Sequence, residues 1–172
     1  MRYALLSPQT LTPEQKAVYD SIAATRKGAV PTPFHILLQS PELADRAQQL
    51  GSLLRYRTGL TPQQSEIAIL VTAKHWNEEY EWSVHAPEAR KAGVPEDAID
   101  AIRTGTRPAS LSGDDALIYD FAHAFYANLD VPDRVFDLAV ARLGHKTVVE
   151  LSSILGYYSM LAIVMRVYRV KP

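Results

Sequence analysis

The sequence contains no cysteine. That single absence removes disulfides, thiolate nucleophiles and zinc–thiolate sites together. Charge of one sign is also missing. Eighteen Lys and Arg against 19 Asp and Glu leave a formal net charge of −1, with no basic run and no acidic tail. The electrostatic footprint of a nucleic-acid or anionic-membrane binder is therefore lacking. No G-x-G-x-x-G, P-loop, low-complexity segment or convincing internal repeat is present. The most apolar run, Leu151 to Met165, is fifteen residues without a formal charge. It falls short of the ~20 residues needed to span a bilayer, and Ser152, Ser153 and Ser159 interrupt it, so a buried helix is expected. The opening "MRYALLSPQT" has one Arg and too short an apolar run for a secretory signal, which predicts a cytoplasmic protein.

What is present is the balance of an ordinary globular chain, 47% hydrophobic and 22% charged over 172 residues. That length suits one domain with a sizeable core, and residues 1–172 are expected to form it. Helix punctuation dominates. In "LTPEQKAVYDSIAATRKG", Thr12 is placed as N-cap, Pro13 at the first helical position, and Gln15 to close a capping box. Thr61, Pro62 and Gln64 repeat this in "LTPQQSEIAILVTAKHW". Between them a helix is expected from Ser40-Pro41 to about Gly59. Further helices are predicted at about Glu78–Ala92, Pro95–Arg103, after Ser112, Pro132–Leu143 and Thr147–Val167. No sustained period-2 alternation marks a strand. The fold class is all-α, with roughly seven or eight helices.

One stretch stands out, "EEYEWSVH" at Glu78 to His85. At ~100° per residue, Glu78, Glu81, Trp82 and His85 share one helical face. Glu81 and His85 are four apart, so a carboxylate can meet the imidazole, raise its pKa and fix its ring. Tyr80 and Trp82 flank the pair and could exclude water. One helix earlier, Glu66 is flanked by apolar residues in "SEIAILVTA" and is expected to point inward. A buried carboxylate needs a partner, and His85 is the nearest candidate in a helical hairpin. Together His85, Glu66 and Glu81 make a general acid/base set, with Glu78, Tyr80 and Trp82 as candidate substrate contacts.

The plainer readings stay open. A Glu-His pair at this spacing also decorates solvated helices, and Glu66 could form a structural ion pair with Arg55 or Arg90. Metal binding is disfavoured, because the carboxylate-bridged bundles use Glu-x-x-His and Val84 follows Glu81 at that spacing. No cofactor is expected. His35 could line a cavity, His123 and Tyr126 share one helix, and His75 and His145 read as helix-end residues. Tyr157 or Tyr158 could line a pocket, and Arg55, Arg57 and Arg90 could clamp an anion.

The run from Leu60 to Gly93 resembles the core of the carboxymuconolactone decarboxylase family, which also contains AhpD-like alkyl hydroperoxide reductase partners. "PFHILLQSPELADRAQQLGSLLRY" resembles the N-terminal helical arm of its longer members, so residues 1–58 are expected to form such an arm. The resemblance implies an all-α, AhpD-like fold and assembly as a homotrimer or homohexamer. In the peroxidase branch a Glu precedes a Cys-x-x-Cys and then a His. Those positions fall on Glu66, on Glu78 and Glu81, and on His85. Both sulfur positions are occupied by Glu here, which excludes thiol peroxidase chemistry. The resemblance then implies the thiol-free branch, including decarboxylases that act on a lactone acid of aromatic catabolism. Ser65 stands where many members carry Arg. The expected activity is a small-molecule lyase with His/Glu acid–base chemistry on a keto or lactone carboxylic acid. The alternative is a non-catalytic oligomer of the same fold that binds a small ligand or a partner.

Overall fold

The structure, a computed structural model, describes residue 2, residues 6–26 and residues 28–170. Most of the apolar opening that was weighed as a signal lies outside the described residues. Among those described there are eight α-helices and no strand. They are α1 (Pro13–Thr25), α2 (Thr32–Leu37), α3 (Pro41–Tyr56), α4 (Pro62–Trp76), α5 (Glu79–Ala92), α6 (Glu96–Thr104), α7 (Gly113–Asn128) and α8 (Asp133–Val167).

Local chemistry sets the starts of α1 and α4. Thr12 and Thr61 accept the N–H of Gln15 and Gln64, and each Gln side chain returns a bond to the cap's own N–H. Each box therefore satisfies two donors that a helix start leaves free. Ser112 sits at the N-cap of α7 but makes no side-chain cap bond. The two helices expected after Pro132 are both present, joined end to end as α8 at a kink at Gly144, whose φ of 79° and ψ of 157° are non-helical. Glycine is the residue that reaches that conformation without a Cβ clash.

Helix α4 is the axis of the molecule. Gln64 through Ala73 are all buried, and α5, α6, α7 and α8 pack around it. Burial on every side explains why its sequence shows no clean apolar stripe. At its end, Arg166 Nη1 donates to the Trp76 and Asn77 carbonyls at 2.6 and 3.3 Å, a cation placed at the negative end of the helix dipole. A chain of side chains then ties α4 to α7 and α8. Trp76 Nε1 donates to Ser159 Oγ at 2.8 Å, and Ser159 and Tyr126 hydroxyls lie 3.0 Å apart. Tyr126 donates to Thr72 Oγ1 at 3.0 Å, and Thr72 donates to the Ala68 carbonyl at 2.9 Å. One hydrogen per hydroxyl suffices for the whole chain.

Helix α8 is long and apolar enough to cross a membrane by length and composition, but half of its most apolar window is buried inside the fold. Leu151, Ile154, Leu155, Leu161 and Met165 are core residues. Near the middle of α3, Gly51 meets Tyr157 of α8 so closely that a Cβ would collide with the phenol hydroxyl.

Candidate active site

Helix α5 begins at a side-chain cap. Glu78 is the N-cap and accepts the Tyr80 N–H at 3.1 Å. It ends at Gly93, whose φ of 97° lets its N–H close back on Ala89 and Arg90. Pro87 lies inside the helix, so the Ser83 carbonyl has no i+4 donor. Ser83 and Pro87 are both exposed, and the buried face through Glu81, His85 and Ala89 runs on past the gap.

On that face His85 is only 3% exposed. Its Nδ1 is 2.7 Å from Glu66 Oε2 of α4, and its Nε2 is 3.5 Å from Glu81 Oε2. Glu66 Oε1 in turn lies 3.5 Å from an Arg55 guanidinium nitrogen of α3. The Tyr158 ring meets the imidazole edge-on at 5.1 Å. Three helices and α8 therefore converge on one ring. Burial pushes the imidazole pKa down, but the hydrogen bonds to Glu66 and Glu81 outweigh it and the net shift is upward. Two carboxylates, one imidazolium and one guanidinium sum to zero, so a protonated His85 balances the cluster without an unpaired charge. Glu81 Oε1 is buried with no hydrogen-bond partner among the described residues.

A cavity of about 80 Å³ opens beside this cluster. His85, Glu81, Arg55, Tyr80, Tyr157 and Tyr158 line it, with Arg26 and Pro31 from the segment joining α1 to α2 and Pro33 and Phe34 of α2 itself. Burial pushes the Tyr157 phenol up to about 12 and the Tyr158 phenol well above its ordinary value. On the far side of the Glu66–Arg55 pair is a second, more open hollow of about 290 Å³, which also takes in Glu88 and Lys91. Arg55 borders both.

The predicted residues thus divide. Glu66, Glu81 and His85 are in contact, and Tyr80 lines the cavity while accepting the Thr32 N–H at 3.2 Å. Glu78 is buried but does not line the cavity, because capping α5 engages its carboxylate. Burial raises its pKa, partly offset by the Tyr80 N–H. Trp82 does not line it either. Its ring lies 4.7 Å from the Arg103 guanidinium, which also binds Glu79 at 2.7 Å. Arg90 pairs with Glu96, not with Glu66. His35 meets Tyr19 of α1 edge-on at 5.8 Å, outside the cavity. Arg55, Tyr157 and Tyr158 were weighed only loosely from sequence. Their signal was a paired tyrosine in an otherwise apolar helix and an arginine within reach of an inward Glu. Among the described residues, no group of three or more His, Asp or Glu is set to hold a metal ion.

The carboxymuconolactone decarboxylase family model matches residues 41–117. That stretch runs from the start of α3 into α7 and contains Arg55, Glu66, Glu81 and His85. No curated protein matches the chain. The all-helical architecture is consistent with the AhpD-like fold. Over residues 41–117, a little under half of its length, the chain is similar to the carboxymuconolactone decarboxylase family.

Proposed function

We propose that this protein is a small-molecule lyase of the carboxymuconolactone decarboxylase type, acting on a keto or lactone carboxylic acid. The observation that carries this reading is the buried His85, gripped by Glu66 at 2.7 Å and facing a cavity. Arg55 borders that cavity and supplies a cation for the substrate carboxylate. Loss of CO2 breaks the carbon–carbon bond and leaves its electron pair as an enolate-like anion. Protonated His85 then gives its Nε2 proton to carbon, and solvent restores the proton afterwards. Glu66 holds the ring by Nδ1 throughout, and its charge keeps the imidazolium stable while buried. Tyr157 and Tyr158 stay un-ionised at neutral pH, so they wall the site without adding charge.

The cavity of about 80 Å³ is smaller than the ~300–1,000 Å³ of typical ligand pockets. Admission of a substrate therefore requires the lining to widen, and the Thr32–Tyr80 hydrogen bond at the start of α2 is one contact whose opening would allow it. Assembly into a trimer or hexamer belongs to the same proposal. Exposed Leu43, Leu50, Leu53 and Tyr56 along α3 offer apolar surface for it to cover. Light scattering at micromolar concentration tests this, and a monomer would contradict it.

The direct test is CO2 release from a panel of keto and lactone acids by the wild-type protein and by His85→Ala. A positioned acid of this kind contributes about 10²–10⁴-fold. Equal turnover by the two proteins would end the proposal. Saturable binding of those acids with no turnover by either would move the assignment to the non-catalytic alternative.

A further inference from the structure

On the opposite side of α4 from Glu66, the chain forms a cleft of about 320 Å³ between α4, α6 and α7. It is about four times the cavity beside His85 and falls within the size range of small-molecule sites. We propose that this cleft is a second binding site, separate from the His85 cavity, for a small planar aromatic carboxylate.

Two stacked ring pairs form its walls. His75 lies on Tyr126 with centroids 4.2 Å apart and planes within 19°, and His123 lies on Tyr119 at 5.5 Å with the same interplanar angle. Flat π faces held this way suit a flat ligand better than a branched one. The first wall is fixed in place, because the Tyr126 hydroxyl is held between Thr72 and Ser159. Val71 and Ile102 supply an apolar floor. The charged lining group is Lys74, and no Asp or Glu lines the cleft. Lys74 has no ion-pair partner among the described residues. An exposed ammonium beside two aromatic walls selects an anionic head on an aromatic body.

The negative end of α4 would oppose an anion here if its carbonyls were free. Four of them are engaged. Ala73 and Lys74 accept from Asn77 and Glu78, and Trp76 and Asn77 accept from the Arg166 cation. Phosphate would be a poorer fit, because its two charges would meet a single lysine and its body offers nothing to stack. This inference does not depend on the lyase reading, and its test measures binding alone.

The probe is benzoate, titrated into the full chain while the five histidine ring signals are followed by NMR. The expected result is a saturable shift at His75 and His123, with a dissociation constant on the order of millimolar or tighter. His145, which lies against Phe136 and away from the cleft, should stay still. Lys74→Met, at an exposed position, should fold normally by circular dichroism and weaken binding about tenfold, the loss of one charge-assisted bond. Absence of saturation, shifts confined to His85, or equal affinity in Lys74→Met would each overturn the proposal.

Discussion

His85 and His75 each lie against a tyrosine ring, and they carry opposite shifts. His85 meets Tyr158 edge-on and is raised, whereas His75 stacks on Tyr126 and is lowered. Burial pushes both in the same direction, downward, and at His75 nothing answers it. At His85 two carboxylates reverse the sign although the ring is far more deeply buried. The aromatic neighbour does not decide the direction of the shift at either ring, one buried at His85 and the other exposed at His75. The acidic neighbours do, and only one of the two rings has them.

The most forceful way to break the contrast is to remove Glu66. Glu66→Ala leaves a buried imidazole and the Arg55 guanidinium without their shared carboxylate, and should cost about 3–5 kcal/mol in urea unfolding. The shape-preserving Glu66→Gln should bring the His85 pKa down towards the behaviour of His75, read by ring titration. If it stays raised, Glu81 alone sets the sign and Glu66 has the lesser part.

The same contrast has a pH signature. A histidine whose folded pKa lies above its unfolded value stabilises the fold in full below about pH 6.5, and that contribution is lost as pH rises through the folded pKa. His75, lowered in the fold, carries the opposite sign, its protonation disfavouring the native state as pH falls below 6.5. Tm measured against pH for wild type, His85→Gln and His75→Gln should separate the two. The gap between wild type and His85→Gln should narrow on the alkaline side.

A smaller effect sharpens the other half of the comparison. Tyr126→Phe keeps the ring under His75 but removes the hydroxyl that joins Ser159 to Thr72, and should cost about 1 kcal/mol by thermal unfolding. The His75 shift should survive, because its cause is burial, not the phenol hydroxyl. Smallest of all is Arg103→Ala. The Arg103–Glu79 pair is over two-fifths exposed on both sides, so its loss with the Trp82 contact should cost about 0.5 kcal/mol. Unchanged CO2 release in that variant, if the proposed activity is found, would accord with Trp82 lying outside the cavity.

Parts of the molecule that depend on neighbours in sequence could be read in advance. The capping boxes at Thr12 and Thr61 are written within four residues each, and the α4–α5 hairpin follows from the Thr61 start and the short turn at Asn77 and Glu78. An inward Glu66 opposite His85 was legible because an apolar-flanked carboxylate has few ways to be satisfied. The destinations of Glu78 and Trp82 were not. Both share the helical face of His85 by angle, but Glu78 sits at the cap, where backbone N–H groups compete for it. Trp82 turns to α6, whose position no local rule supplies. Arg55, Tyr157 and Tyr158 reach the site from helices distant in sequence, and only the packed fold brings them together. Pro87 passed unremarked, since a proline inside a helix normally argues for an end. Its gap faces solvent, where water can satisfy the Ser83 carbonyl.

The missing side chain at Gly51 has a reach beyond its own helix. Because the α3 backbone is bare there, Tyr157 can lie flush against it, and the space above the phenol is left for whatever His85 serves. A single methyl at that point would force the ring off α3. Which molecules are turned away could thus be rewritten from α3, without touching any acid, base or charge.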